Sequence, residues 1–152
     1  MVIVGGSALL LSELTSRQMT HDVDLLLADA RLSEIISHYH ALNSNVSAYV
    51  DSIPYNFDNR LVKLDLTTRL IDYFVPSVED MAVMKLYGWR ENDQEDLNSP
   101  EFISQLNWNL LDELVFSEDE AQASMLVERR YKEMRDLYIN YAEEHGHEPQ
   151  IR

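Results

Sequence analysis

The sequence predicts an α/β domain followed by a helical C-terminal part that ends in a long helix. Short apolar runs separated by helical patterns predict the α/β part. One apolar stripe at alternating steps of four and three residues predicts the long helix, which we expect to end near Glu144. The stripe consists of Val127, Tyr131, Met134, Tyr138 and Tyr141. The 152 residues are close to the commonest size of a single domain. We therefore expect a core over 1–98 and a helical part over 99–152 within one compact unit.

The N-terminal segments are predicted to contain two buried strands. Val2-Ile3-Val4 is a short apolar strand that Gly5-Gly6 interrupts, and Ser7 is placed to cap a helix that runs to about Leu14. Three consecutive leucines in the next strand, residues 23–27, indicate burial on both faces. The remaining predicted elements are a helix after Asp29, strands over 46–50, 61–66 and 70–75, and helices that begin near Ser77, Ser99, Asn109 and Ser117.

Composition restricts the classes of function. The formal net charge of −15 repels polyanions, so sequence-independent nucleic-acid binding is not expected. The chain has no cysteine, which excludes disulfides, thiolate zinc sites and cysteine nucleophiles. No apolar run approaches the roughly 18 residues of a membrane span, and no signal-peptide pattern is present. We expect a protein of the cytoplasm that makes no membrane contact.

A Gly-Gly-Ser turn between a strand and a helix predicts an anion site. Glycine lets the backbone approach a ligand closely, and a helix start offers unpaired N–H groups. Gly5 and Gly6 supply the turn, and the Ser7 hydroxyl adds a donor. The same pattern also occurs as a plain tight connection.

The pair Asp22 and Asp24 is the second candidate site. Residues i and i+2 of a strand point the same way, so the two carboxylates project side by side while Val23 faces the core. Adjacent carboxylates repel unless a cation lies between them, and hard oxygen ligands suit Mg²⁺. The alternative is a pair of exposed acids at a strand end.

In order and spacing, these two elements resemble the nucleotidyltransferase superfamily with the polymerase-β-like fold. The resemblance continues through Lys85-Leu86, Arg90, Asp93 and Asp96, which is similar to a signature of small bacterial members, including AbiEii-type toxins of toxin–antitoxin pairs. It covers roughly residues 2–97. The fold implied is a nucleotidyltransferase-like mixed sheet flanked by helices.

The resemblance implies transfer of a nucleoside monophosphate from a nucleoside triphosphate to a hydroxyl acceptor. Gly6 and Ser7 would hold the β- and γ-phosphates, and Lys85 would act as a point charge on the triphosphate. Arg90 is implied as a further nucleotide contact. The expected cofactor is Mg²⁺, with Asp22 and Asp24 as its ligands. Asp93 and Asp96 would position Lys85 or the acceptor, or else are solvated surface acids.

The sequence departs from the superfamily pattern in two places. A third carboxylate usually assists the attacking hydroxyl, and Asp65 is the first candidate for it, with Asp72 as the alternative. A helix that normally precedes the first strand has no counterpart before Val2. Both departures leave open a non-catalytic module of the same fold that acts by binding a protein partner. A dinucleotide-binding site is disfavoured because Gly-x-Gly-x-x-Gly is absent.

The acceptor and partners stay open at this level. The acceptor can be RNA, protein or a small molecule. The long helix can contact an antitoxin or a second copy of the chain. A basic cluster in that helix consists of Arg129, Arg130, Lys132 and Arg135, and it forms either a solvated face or a contact for a nucleic-acid acceptor. The apolar stripe is expected to dock on the domain rather than on a partner.

Overall fold

A computed structural model describes residues 1–16, 18–20, 23–27, 34, 38, 42–43, 51–66, 71–117 and 128–151. The strands are β1 (Val2–Val4), β2 (Val23–Leu27), β3 (Leu42–Asn43), β4 (Val62–Lys63) and β5 (Phe74–Val75). The helices are α1 (Gly5–Leu11), α2 (Val78–Gly88), α3 (Glu91–Leu97), α4 (Pro100–Gln105), α5 (Trp108–Phe116) and α6 (Glu128–Glu144), and a 3-10 helix spans Phe57–Arg60. The predicted fold class is confirmed.

The described strands form one mixed sheet in the order β3-β2-β1-β5-β4. β1 is central, antiparallel to β2 and parallel to β5. β3 is parallel to β2, and β4 is antiparallel to β5. Parallel pairs require long crossovers, and the chain between β1 and β5 contains β2, β3 and β4.

The register gives the sheet two distinct ends. Val4, the last residue of β1, pairs with Asp24, so Asp24 lies at the end where β1 runs into Gly5. We call this the glycine-turn end. At the other end Val2 pairs with Phe74, and the backbone N–H of Leu64 donates to the carbonyl of Tyr73 at 2.9 Å. Pairing between β4 and β5 therefore continues away from the glycine turn.

Each face of the sheet packs against a separate apolar cluster. Ile3 and Leu25 belong to the larger cluster, which includes buried residues of α1, α2 and the C-terminal helices. Val2 and Val4 belong to a smaller cluster with Met84 on the opposite face. This alternation follows from the two-residue period of strand side chains. The proposed division at residue 98 stays a prediction, although the larger cluster contains residues from both sides of it.

Three predicted helix starts can be checked at their caps. The Ser77 hydroxyl accepts from the backbone N–H of Asp80, and the Ser99 hydroxyl accepts from that of Phe102, with proline following Ser99. Both starts are confirmed. The predicted cap at Ser7 is wrong. The helix begins at Gly5, its N-cap is the extended residue Val4, and Ser7 lies buried inside the first turn.

Other predictions differ in extent or fall outside the described residues. β4 and β5 are two residues each, shorter than the predicted strands over 61–66 and 70–75. The helix near Asn109 begins at Trp108, with Asn107 as its cap. The strand over 46–50, most of the helix after Asp29 and the predicted start after Ser117 lie outside the described residues.

The apolar stripe of α6 is docked in the domain, as expected. Its described members, Tyr131, Met134, Tyr138 and Tyr141, are all buried. The hydroxyl of Tyr141 donates to the carbonyl of Leu97 at 2.7 Å, which ties α6 to the end of α3. Among the described helices, none combines the length and apolarity that a membrane span requires.

Candidate functional site

A cavity of about 200 Å³ opens at the glycine-turn end of the sheet. Three segments line it, namely the turn, one face of α2, and the beginning of α3 with the residue before it. The lining residues are Gly5, Gly6, Thr20, Met81, Met84, Lys85, Arg90, Asn92, Asp93 and Asp96. Six of the residues predicted from the sequence therefore meet at one cavity.

The glycine turn depends on glycine at both positions. Gly5 has a φ of 68°, a left-handed conformation that side chains disfavour. A Cβ on Gly6 would lie 3.3 Å from the Oγ1 of Thr20, closer than ordinary packing. Ser7 is buried and is not part of the lining. Gly5, Gly6 and Thr20 therefore line this part of the cavity, and Ser7 does not.

Asp24 lies beside this turn on the face of Val4. Its cross-strand partner is Val4, which directly precedes Gly5. Val23 packs against the larger apolar cluster and Leu26 against the smaller one, so strand alternation directs Asp24 to the same face as Met84. Asp24 is not in the cavity lining itself, and Asp22 lies outside the described residues.

Lys85 is held by two carboxylates in the cavity wall. Its Nζ lies 2.7 Å from the Oδ2 of Asp96 and 3.3 Å from the Oδ1 of Asp93. All three side chains are buried. Burying charges is costly unless they are paired, and this group is fully paired. Positioning of Lys85 by Asp93 and Asp96 is compatible with these contacts and stays a prediction, as does its role as a point charge.

Arg90 closes the same network from outside. Its Nε donates to the Oδ2 of Asp93 at 2.8 Å, and its backbone N–H donates to the same oxygen at 3.1 Å. Burial by itself raises the pKa of the Asp93 carboxyl. The hydrogen bonds from Arg90 and the charge of Lys85 outweigh burial, so the pKa of Asp93 lies below its ordinary value. Asp93 is therefore held as a carboxylate.

Neighbouring segments fit closely around these acids. A Cβ on Gly88 would lie only 2.8 Å from the Oδ2 of Asp93, so glycine at the end of α2 leaves room for that carboxylate. The Thr15 hydroxyl donates to Asp96 at 3.4 Å, and the Ser99 hydroxyl donates to the carbonyl of Leu14 at 3.1 Å. The segment after α1, which leads to Thr20, is thus fixed to α3 and α4.

The structure does not bring the candidates for a third carboxylate to the cavity. Asp72 precedes β5 at the end of the sheet opposite the glycine turn, where its carbonyl accepts from the Met1 amine at 2.9 Å. Asp65 follows Leu64 toward the same end. Two strands separate β4 from β2, which carries Asp24. Asp65 is exposed, and the Asp72 side chain forms an exposed ion pair with Lys63.

Four lining residues were not predicted from the sequence, namely Thr20, Met81, Met84 and Asn92. Met81 lies four residues before Lys85, so the helical period counted from Lys85 is a signal that finds it. Met84 lies three residues after Met81 and follows from Met81 by the same period. The sequence carries no signal that identifies Thr20 or Asn92, because both residues reach the cavity only through tertiary packing.

The basic cluster of α6 is engaged within the protein. Glu133 accepts from Arg129 at 2.8 Å and from Arg130 at 3.1 Å. Arg130 also donates to the carbonyl of Tyr87, and the Arg135 guanidinium lies 5.0 Å from the ring centre of Phe116. These contacts favour the solvated-face interpretation over a nucleic-acid contact.

The donor chemistry near the turn suits Mg²⁺ bound together with phosphates. Asp24 supplies a hard carboxylate oxygen, and Mg²⁺ is usually held by one or two carboxylates with the remaining positions filled by substrate and water. Within the part of the chain that the structure describes, no three acidic or histidine side chains converge to hold a metal alone. The carboxylate of Asp24 fits a metal that is shared with phosphates and water.

The chain matches a known protein family over most of its length. The model of a family described as nucleotidyltransferase of unknown function (DUF6036) matches residues 1–146, almost the whole chain. No curated protein and no solved structure matches the chain. The family match supports the nucleotidyltransferase superfamily that the glycine turn and acidic pair indicated, and says nothing of a toxin subtype. The chain belongs to this family of nucleotidyltransferases.

Proposed function

We propose that the protein transfers a nucleoside monophosphate from a magnesium-bound nucleoside triphosphate to a hydroxyl acceptor. One observation carries the proposal. Because Val4 pairs with Asp24, a carboxylate that is suited to bind a metal lies next to the glycine turn, at the end of the sheet where the cavity opens. Membership in a nucleotidyltransferase family supports the same chemistry.

Phosphoryl transfer depends mainly on positioning and neutralisation of charge. In this proposal Asp24 and Asp22 hold Mg²⁺, which neutralises the triphosphate. Gly5 and Gly6 let the backbone approach the phosphates, with Ser7 supporting the first helical turn beneath them. Lys85 acts as a point charge that reaches the triphosphate from α2. Asp93 and Asp96 act as its positioning residues.

The placement of Asp65 and Asp72 favours a second candidate function. If no carboxylate outside the described residues assists the acceptor hydroxyl, the site binds a nucleotide without transferring it. The protein then acts as a nucleotide-binding module for a protein partner. Both candidates predict that the protein binds a nucleotide, and only the enzyme forms a transfer product.

The test uses α-labelled nucleoside triphosphates, Mg²⁺ and a mixture of cellular RNA and protein. We expect label to move to one acceptor class with the native protein, and not with Asp22→Ala or Asp24→Ala. Asp58→Ala is the matched control, because Asp58 is an exposed acid of the 3-10 helix outside the lining. Asp65→Ala is measured alongside, and loss of transfer there would restore Asp65 as the third carboxylate.

Three results decide between the alternatives. Transfer that Asp24→Ala abolishes supports the enzyme. Magnesium-dependent nucleotide binding without transfer supports the binding module. Absence of nucleotide binding contradicts both. A toxin of a toxin–antitoxin pair is part of the proposal, and it predicts growth arrest in a bacterium that expresses the native chain but not Asp24→Ala.

A further inference from the structure

We propose that Arg90 and Asn92 form the part of the site that binds the nucleobase, with Arg90 stacking on the base and Asn92 contacting its edge. This inference rests on the proposed function, which puts the phosphates at the glycine turn. It assigns the opposite side of the cavity, at the beginning of α3, to the uncharged half of the nucleotide.

The charges of the α3 wall argue against a phosphate site there. Arg90 is the exposed cation of this wall, and Asp93 already matches its charge, with the Asp93 Oδ2 at 2.8 Å from the Arg90 Nε. Exposed acids at positions 91 and 95 of the same helix make the surroundings more negative. A triphosphate gains little from a wall whose exposed cation is already compensated.

Burial separates the two halves of this wall. Asp93 and Asp96 are buried and face Lys85, whereas Arg90 and Asn92 are exposed and still line the cavity. The side chain of Arg90 is 68% exposed. A ligand in the cavity can therefore contact these two side chains while the buried acids stay engaged with Lys85.

Arg90 is suited to stacking because Asp93 fixes its orientation. The carboxylate accepts from Nε at 2.8 Å and from Nη2 at 3.4 Å, so two nitrogen atoms of the planar guanidinium are held by one group. Arginine stacks on flat rings, and a held guanidinium loses less freedom on doing so. A lysine at this position keeps the charge but has no flat face.

Asn92 is suited to contact a base edge because its amide carries both donors and an acceptor. It lies two positions from Arg90 and lines the same cavity. A bidentate amide contact discriminates between bases, since the amino and carbonyl groups of the base must match the amide. Aspartate at this position has acceptors but no donors, so it no longer matches the base where the Asn92 amide would donate.

The test measures the affinity of the full chain for the magnesium complexes of ATP, GTP, CTP, UTP and tripolyphosphate by calorimetry. Arg90→Ala and Arg90→Lys are each expected to weaken binding of the preferred nucleotide about tenfold, with tripolyphosphate affected about twofold or less. Asn92→Asp is expected to change the preference among the four nucleotides by about tenfold. Asn109→Asp, an exposed change on α5 that adds the same charge, is expected to change none of these affinities.

Equal weakening of nucleotide and tripolyphosphate by Arg90→Ala, or native affinity in Arg90→Lys, would overturn the stacking role. An unchanged order of preference in Asn92→Asp would overturn the edge contact. Thermal unfolding of each variant identifies any that fails to fold, in which case Arg90→Lys and Asn92→Asp decide. If native protein binds tripolyphosphate and all nucleotides equally, this inference fails while the phosphate site stands. If it binds neither, the proposed function fails as well.

Discussion

Buried aspartates form two clusters in this molecule, and the aspartates of the two clusters contact different kinds of groups. In the first, Asp93 and Asp96 hold the cation of Lys85 in the wall of a cavity. In the second, Asp112 accepts from the Tyr138 hydroxyl at 2.5 Å and lies 2.9 Å from the His147 ring nitrogen.

The surroundings separate these clusters. The His147 ring stacks on Trp108 with centres 5.2 Å apart, and the backbone N–H of Gln150 also donates to Asp112. The second cluster is thus closed by aromatic rings and the C-terminal segment, whereas ligand access remains at the first. Burial of acids alone does not mark a site. Acids that are buried beside a cavity and paired with cations indicate a functional site better.

The largest effect on stability is expected from Asp112→Ala. This change leaves the buried Tyr138 hydroxyl without its acceptor and frees the C-terminal segment, so we expect a loss of about 3 kcal/mol in the free energy of unfolding. Asp112→Asn keeps one acceptor oxygen and should lose less. Chemical denaturation measures both. Nucleotide affinity should stay native in the folded fraction, and a loss there would show that the two clusters are coupled.

A smaller loss of stability is expected from Asp96→Asn. Unlike Asp112→Ala, this change should also weaken nucleotide binding. The change removes one charge partner of Lys85, while Asp93 stays as the other, so we expect a loss of about 2 kcal/mol. Lys85 is then positioned by Asp93 alone, and nucleotide affinity should fall. If stability falls while calorimetry finds native affinity, the wall is structural only.

Gly88→Ala is expected to cost about 1 to 2 kcal/mol, because its Cβ would meet the Asp93 carboxylate at 2.8 Å. Gly146→Ala is the matched change near the second cluster. Among the described residues, no atom outside the chain neighbours of Gly146 lies within 4 Å of the Cβ that alanine would add there, but the φ of 76° disfavours a side chain and costs about 1 kcal/mol. Only Gly88→Ala should weaken nucleotide binding. Equal binding in both variants would mean that Asp93 can move without consequence.

The smallest effects are expected from pH, at opposite ends of the scale. The pKa of Asp93 is lowered in the folded protein, so its contribution to stability is present above about pH 4 and is lost as pH falls through the folded pKa. Burial, and after it the contact with Asp112, raises the pKa of Tyr138. Its contribution is present below about pH 10 and is lost at higher pH.

These two limbs can be assigned by unfolding at several pH values. We expect Asp93→Asn to flatten the acid limb and Tyr138→Phe to flatten the alkaline limb. A variant that alters the other limb, or neither, would contradict the assignment of that limb to its residue.

Local patterns in the sequence predicted the parts of the fold that depend on local chemistry. The caps at Ser77 and Ser99 follow from hydrogen bonds that span three residues, and the α6 stripe follows from the helical period. The cap at Ser7 was wrong because Gly5 adopts a left-handed φ and the helix begins there, three residues before Ala8. A pattern of polar and small residues does not specify that dihedral.

The site was predictable only in part for a related reason. Spacing of three residues brings Asp93 and Asp96 to one side of α3, and this can be inferred from a sequence. Strand alternation gives the face on which Asp65 lies but not the end of the sheet, because the end depends on whether neighbouring strands are parallel. Thr20 and Asn92 required the packing of separate segments. The pairing of Asp22 with Asp24 stays a prediction.

The pairing of β1 with β5 has a consequence for synthesis. The amine of Met1 meets the carbonyl of Asp72, 71 positions further along the chain, and β1 lies between β2 and β5. While a ribosome elongates the chain, β1 can pair with β2 early, but its second edge has no partner until β5 has emerged. An open apolar strand edge favours pairing with other chains. Slower translation between these strands therefore lengthens the interval in which nascent chains are prone to aggregate.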